Sequence, residues 1–164
     1  LSLIDPILID IGPESLFFND LMELKTILNR YNLGDENNKS STQHFLKSEF
    51  LIRQKKTGDA INELTYLIKN YPKSKIAPLA TLRISLLNYK INNFEKSLHF
   101  ASNLKNTEFE DRGIILSAHI YEHKLLNVDE ALKSYMKIIN DFPQSIHFDP
   151  VRYRIRKINQ EKNI

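Results

Sequence analysis

A fifteen-residue phrase occurs twice in this chain and constrains its fold more than any other feature. The phrase covers residues 60–74 and returns over residues 131–145, which is 71 positions later. Both copies begin with Ala and end in an aromatic residue followed by Pro, a variable residue and Ser. An offset of this size is close to two periods of about 34 residues, a period that marks stacked helix–turn–helix units. The sequence therefore predicts an all-α array of antiparallel helix pairs.

The first 40 residues are predicted to form a segment with one long helix, which is the end of an upstream repeat. Apolar spacing and stop signals place this helix from about Pro13 to Tyr31. A polar, turn-forming loop follows over residues 32–40. Because the chain begins at Leu1 and not at Met, we expect it to be a processed product or a fragment, with any signal peptide or lipid anchor upstream.

Three helix pairs and a capping helix are predicted for the rest of the chain. Ser41 or Thr42 caps the first of these helices, and Ser97 takes the place of the Ala that opens each copy of the phrase. The middle pair lacks the closing Pro, and the third pair has one extra residue in its inner turn. A basic capping helix then starts with Asp149 as N-cap and Pro150 at its first position. The pairs span residues 41–72, 76–105 and 109–143 within a repeat region of 41–145, and the capping segment spans 146–164.

The small and aromatic residues at these spacings resemble those of the tetratricopeptide repeat family. That family places small residues where two helices approach closely, aromatic residues one turn later, and Pro at the end of the repeat. The resemblance covers about residues 41–160 and implies a right-handed α-solenoid. The matching positions are Ser48, Ser85 and Ala118 on first helices, Ala60, Ser97 and Ala131 on second helices, the aromatic Tyr121 and Tyr135, and the closing Pro72 and Pro143.

The resemblance implies a non-catalytic scaffold for protein–protein interaction, because such arrays present a concave groove to a peptide or a partner protein. In the family, the first helix of each pair lines this groove. An alternative is that the chain is the structural C-terminal segment of a larger repeat protein and serves subunit assembly. The groove residues nominated from the first helices are Phe45, Glu49, Arg53, Arg83, Tyr89, Lys90, Arg112, His119, Glu122 and His123.

The endings Tyr-Pro-Lys-Ser and Phe-Pro-Gln-Ser are similar to a bacterial branch of the family. In that branch, arrays serve as periplasmic or lipid-anchored scaffolds of the cell envelope. The resemblance therefore favours a periplasmic or outer-membrane-associated location. Cytoplasmic relatives share the pattern, so a cytoplasmic location stays open.

One motif of the sequence is typical of zinc hydrolases and offers an alternative to the scaffold function. Residues 119–123 match H-x-x-E-H, in which two His bind zinc and the Glu acts as base. A zinc hydrolase using His119, Glu122 and His123 would also need a third ligand and a substrate cleft. The motif lies in a predicted repeat helix where Ala118 and Tyr121 already pack, so we predict no enzyme, no metal and no cofactor.

Charge and composition add few constraints on function. The 164 residues carry a net charge of +3, and the last fifteen residues hold five basic side chains against one acidic side chain. A nucleic-acid site would need a broader basic surface with several aromatic residues, so we expect no nucleic-acid partner. No stretch approaches the roughly 18 consecutive apolar residues that span a bilayer. The chain has no Cys, which excludes disulfides and thiolate chemistry.

Overall fold

The computed structural model of the chain describes residues 18–31 and 35–162. This part of the chain is built from helices and turns, without a strand, which confirms the predicted all-α helical repeat fold. None of the described helices combines the length and the apolar character needed to cross a membrane. The described helices are α1 (Phe18–Tyr31), α2 (Glu36–Arg53), α3 (Thr57–Asn70), α4 (Ala77–Lys90), α5 (Phe94–Ser102), α6 (Glu110–His123), α7 (Val128–Asp141) and α8 (Phe148–Lys162).

The chain divides into two compact units, unit 1 over residues 1–77 and unit 2 over residues 78–164. In unit 1, α2 packs against both α1 and α3. In unit 2, α6 packs against α5 and α7, and α7 packs against α8. Short connections hold consecutive helices antiparallel within a pair. The right-handed stacking and the predicted domain limits stay predictions.

The two copies of the repeated phrase adopt the same backbone conformation. They supply most of α3 and α7, which have 14 residues each. Tyr71 has φ −128° and ψ 52°, and Phe142 has φ −130° and ψ 57°. Three residues later in each turn, the Ser74 N–H donates to the Tyr71 carbonyl at 3.0 Å, and the Ser145 N–H donates to the Phe142 carbonyl at 3.0 Å. The aromatic-Pro-x-Ser sequence therefore encodes one specific chain reversal.

Each of these closing turns is hydrogen-bonded to the first helix of its own pair. In unit 1, the Lys75 N–H donates to Asn38 Oδ1 near the start of α2 at 3.1 Å. In unit 2, the Ser145 hydroxyl donates to Asp111 Oδ2 near the start of α6 at 2.6 Å. In both pairs, a hydrogen bond thus holds the closing turn against the start of the first helix.

The small residues of the repeat pattern lie where helices meet, and all six are fully buried. In the middle pair, the Ser85 hydroxyl donates to the Ser97 carbonyl at 2.6 Å, and the Ser97 hydroxyl donates to the Ser85 carbonyl at 2.8 Å. In the third pair, Ala118 and Ala131 belong to a core that also contains Tyr135. Small side chains allow the helix backbones to approach closely in both pairs. The residues at 0% exposure are Ser48, Ala60, Ser85, Ser97, Ala118 and Ala131.

The inner turn of the third pair contains the extra residue expected from the sequence. Residues 54–56 and 91–93 connect the earlier pairs, whereas residues 124–127 connect α6 to α7. Each turn has one residue with positive φ, and in the longer turn this residue is Leu126, with φ 53°. Leu126 is 79% exposed. The extra residue is thus accommodated at the surface, without a change in the helices that flank it.

The predicted N-cap of α2 was wrong. The helix starts at Glu36, within the predicted loop, and Asp35 is its N-cap: the Asp35 side chain accepts a hydrogen bond from the Asn38 N–H. Ser41 and Thr42 are buried inside the helix, where their hydroxyls donate to the Asn38 carbonyl at 3.0 and 2.7 Å. The predicted start of the preceding helix at Pro13 lies outside the described residues.

Two further helix ends differ from their predicted positions. Helix α5 ends at Ser102, three residues before the predicted end, because Asn106 takes a left-handed conformation with φ 62° and the preceding turn is tightened by i to i+3 hydrogen bonds. Helix α8 starts at Phe148, so Asp149 is not its N-cap and Pro150 is its third residue. The missing N–H of Pro150 still costs no helical hydrogen bond, because the first turn leaves its N–H groups without intrahelical partners.

Replacing Asp35 with Ala should destabilise unit 1 by about 1 kcal/mol, because the start of α2 loses its side-chain acceptor. Urea unfolding monitored by circular dichroism measures the change. Asp35→Asn retains an acceptor at the same position and serves as the control. A loss of stability in the Asn variant equal to that in the Ala variant would show that the carboxylate does not act as a cap.

The two described glycines should respond in opposite directions to Ala substitution. A Cβ added at Gly113 would lie 2.7 Å from the Ala101 carbonyl oxygen and 3.0 Å from Leu104 Cδ1, whereas a Cβ at Gly58 meets nothing within 4 Å. We expect Gly113→Ala to destabilise by about 1–2 kcal/mol, because α5 and α6 must separate. Gly58→Ala should stabilise by about 0.5–1 kcal/mol through helix propensity. Thermal melts of both variants test these two expectations. A Gly113→Ala variant that is more stable than the native chain would contradict the close approach of α5 and α6.

Candidate partner-binding face

Side chains from three successive first helices meet along one line in unit 2. We call this line the first-helix strip: it consists of Tyr89 on α4, His119, Glu122 and His123 on α6, and Arg154 on α8. Helical spacing explains the α6 members, because residues three and four positions apart share one face. The strip therefore runs from α4 across α6 to α8.

Aromatic and basic groups form the first half of the strip. The Tyr89 hydroxyl lies 3.0 Å from His119 Nε2, and the two rings meet edge to face with centroids 5.7 Å apart. The His119 and His123 ring centroids are 4.5 Å apart. Lys124 Nζ lies 5.7 Å from the centre of the Tyr89 ring. Partial burial, together with the nearby charges of His123 and Lys124, holds the pKa of His119 below its usual value.

A buried carboxylate forms the second half. Glu122 Oε1 accepts hydrogen bonds from Arg154 Nε, at 2.6 Å, and from Arg154 Nη2. Its other oxygen, Oε2, accepts from the Tyr135 hydroxyl at 2.7 Å. Burial alone would raise the pKa of Glu122, yet the hydrogen bonds from Arg154 and Tyr135 outweigh it and hold this pKa below its usual value. Burial and the Glu122 carboxylate together raise the pKa of Tyr135. The Glu122 side chain thus links α6 to both α7 and α8.

The hydrogen bonds of Glu122 bear on the role of the Glu in the H-x-x-E-H motif, which is the general base in a zinc hydrolase. Both oxygens of Glu122 are engaged by Arg154 and Tyr135, so the carboxylate is not available as a base for water. Within residues 18–31 and 35–162, no three His, Asp or Glu side chains are grouped so that they could hold a metal ion. The geometry therefore gives no support to a zinc hydrolase at His119, Glu122 and His123.

Comparison with known families supplies one match. Residues 120–145 match the family model of the tetratricopeptide repeat. The segment includes the last residues of α6, all of α7 and the closing turn at Pro143. A search of curated proteins and a search of solved structures each gave no significant match. Tetratricopeptide repeats generally mediate protein–protein interaction and are typically non-catalytic, so the match supports a protein-binding role.

The structure places the ten nominated groove residues in different environments. Phe45 is fully buried and Glu122 is 6% exposed, so their nomination as partner contacts is corrected: both pack in the interior of their helix arrays. Among the others, Glu49 and Arg53 line a shallow pocket of unit 1, and Arg112 lies over the Phe109 ring at 5.3 Å. The exposed residues are Arg53, Lys90, Arg112, His119 and His123, and the half-buried ones are Glu49, Arg83 and Tyr89.

Sequence reasoning missed Arg154, which belongs to the strip, and also Tyr135 and Lys124, which contact it. Arg154 was counted only among the basic residues of a solvated helix, and Tyr135 only as a packing residue. A usable signal was present, because Arg154 follows Glu122 by 32 positions, close to one tetratricopeptide repeat period. Residues of opposite charge that lie one repeat period apart, on successive first helices, are candidates for an ion pair like that of Glu122 and Arg154.

Proposed function

We propose that this chain is a non-catalytic scaffold that binds a peptide or a partner protein along the first helices of its tetratricopeptide repeats, with Tyr89, His119 and His123 of the first-helix strip as contact residues. The observation that carries the proposal is the continuity of the strip across α4, α6 and α8. The helix-contact residues on the same helices, Ser85 and Ala118, are fully buried, whereas His119 and His123 are exposed.

The chemistry of the strip suits protein recognition. Tyr89 and the two imidazoles offer rigid aromatic surface together with hydrogen-bonding groups, a combination that is enriched at protein interfaces. The hydrogen bonds of Glu122 fix α6 relative to α7 and α8. A surface held in place before binding loses less conformational entropy when the partner docks.

A role in a bacterial envelope assembly is the more specific form of this proposal. It is supported by the likeness of the Tyr-Pro-Lys-Ser and Phe-Pro-Gln-Ser turns to those of envelope scaffolds. Fractionation of the native cells tests this part separately. Recovery of the native protein only from the cytoplasm would reject the envelope role and leave the binding proposal intact.

The binding proposal is tested with charge reversal beside the strip and away from it. A partner captured with the native protein is first identified by mass spectrometry, and its affinity for the purified chain is then measured. Lys124→Glu and Lys90→Glu should each weaken binding about tenfold, because they change charges at or beside Tyr89. Lys96→Glu, an exposed position on the second helix of the same pair, is the matched control. Equal effects of all three substitutions would reject the strip as the contact surface.

Subunit assembly through α8 is the second candidate function, and one observation favours it. Tyr153 is 70% exposed between the exposed Arg152 and the half-buried Arg154, while Val151 and Ile158 bury the opposite side of α8. A Tyr153→Ala substitution tests this candidate without unfolding the helix, whereas deletion of residues 150–164 would remove Val151 and Ile158 from the core. If Tyr153→Ala dissociates a native assembly and the substitutions at Lys124 and Lys90 do not, the result would favour subunit assembly over groove binding.

A further inference from the structure

We propose that His119 and His123 form a two-histidine site for a divalent transition-metal ion of the zinc type. The two residues are one helical turn apart on α6 and both are exposed. Their ring centroids are separated by 4.5 Å. Two imidazole nitrogens bound to one tetrahedral zinc ion lie about 3.3 Å apart, given Zn–N bonds of about 2.0–2.1 Å. The observed ring separation accommodates that distance with small side-chain rotations.

The surroundings of the two rings orient the nitrogens that would bind the ion. His119 Nε2 faces the Tyr89 hydroxyl at 3.0 Å, and His123 Nε2 lies 3.5 Å from Glu122 Oε2. A metal-binding His commonly uses one nitrogen for the metal and donates the other N–H to an oxygen, which fixes the ring and its tautomer. Tyr89 is placed to accept the Nε2–H of His119, whereas Glu122 stands beside His123 as a nearby negative charge. The hydrogen bond with Tyr89 leaves Nδ1 of His119 as the nitrogen that would bind the ion.

Glu122 is not a ligand in this site. Its two oxygens already accept hydrogen bonds from Arg154 and Tyr135, so the protein supplies two ligands. Zinc prefers four ligands, which leaves positions for water or for a side chain of another protein. If the strip binds a partner, as the proposed function states, a His, Asp or Glu of that partner can complete the coordination. The metal site itself does not depend on that function.

Titration of the purified 164-residue chain with ZnCl₂ in a calorimeter, with no partner present, tests the site. We expect saturable binding of one ion per chain. His119→Gln and His123→Gln should each weaken binding at least tenfold, because each removes half of the ligand set. Tyr89→Phe should weaken it by about tenfold or more, because loss of an outer-shell hydrogen bond commonly reduces metal affinity by 10–100-fold. His99→Gln, at an exposed His on α5, is the matched control and should bind as the native chain does.

Two results would overturn the site: no saturable binding by the native chain, or binding that persists in the double variant His119→Gln/His123→Gln. Circular dichroism of the variants excludes unfolding as the cause of lost binding. The bridging role is measured separately, by the affinity of the identified partner with and without EDTA. If the chain binds zinc but the affinity of the partner is the same with and without EDTA, only the bridging role is rejected. If the chain does not bind zinc, the scaffold proposal is unaffected.

Discussion

Replacing Ala131 with Arg should unfold unit 2 or reduce its free energy of unfolding by about 4 kcal/mol or more. Ala131 is fully buried in a core shared with Ala118, Tyr135 and Val151. The Arg side chain would overpack the contact between α6 and α7, and its charge would lose its hydration. Urea denaturation followed by circular dichroism and by tyrosine fluorescence measures the loss.

Met136→Arg is the matched control for this experiment, because Met136 lies on the same helix and is 43% exposed. Its free energy of unfolding should change by less than about 0.5 kcal/mol, as for most surface substitutions. A native-like melt for the Ala131 variant would contradict the packing of α7 on α6, and with it the repeat fold of this unit.

Replacing Glu122 with Ala should cost unit 2 about 3 kcal/mol. The substitution leaves the buried hydroxyl of Tyr135 without its acceptor and removes the partner of Arg154. The cost is at the lower end of the range for a broken buried ion pair, because the Arg154 side chain is 29% exposed and can turn toward water. Chemical unfolding at pH 7 measures it.

Glu161→Ala is the matched control, because Glu161 contacts the same guanidinium at 3.7 Å but its side chain is 54% exposed. We expect that change to cost less than about 1 kcal/mol, as is usual for exposed ion pairs. Equal losses for the two substitutions would show that burial of Glu122 contributes nothing to the pair.

The same carboxylate predicts a pH dependence of stability. Its pKa is lower in the folded chain than the ordinary value of 4.5, so the folded state favours the ionised form. The resulting stabilisation is complete above about pH 4.5 and is lost as the pH falls through the folded-state pKa. Glu122→Gln abolishes this contribution, so the difference in stability between the native chain and the variant should shrink in acid. A difference that is constant from pH 7 to pH 3 would contradict the assignment.

The framework could be predicted because its determinants are local and repeated. Ala60 and Ala131 are the fourth residues of helices of the same length, and Pro72 and Pro143 follow C-cap residues of the same conformation. Small residues at helix contacts and Pro at a chain reversal have strong steric requirements, which leave a clear pattern in the sequence. The start of α2 was missed because Asp35, in a polar stretch rich in Asn, is equally suited to a loop and to an N-cap.

The site was predicted less well because its contacts are tertiary. Helical spacing brought His119 and His123 together, but it could not show that Glu122 turns toward Arg154 of a later helix. Phe45 illustrates the opposite error: its position on a first helix made it a groove candidate, although its side chain fills the core of unit 1. Which side of a helix faces a neighbour depends on packing angles that apolar spacing alone does not specify.

The hydrogen bonds that fasten each closing turn to the start of its own pair have a consequence for folding kinetics. They join residues 37 positions apart in unit 1 and 34 positions apart in unit 2. A pair can therefore complete its own contacts without waiting for distant parts of the chain. Because folding rates rise as the average sequence separation of contacts falls, we expect folding to start within one pair and its neighbour and to proceed by adding further pairs.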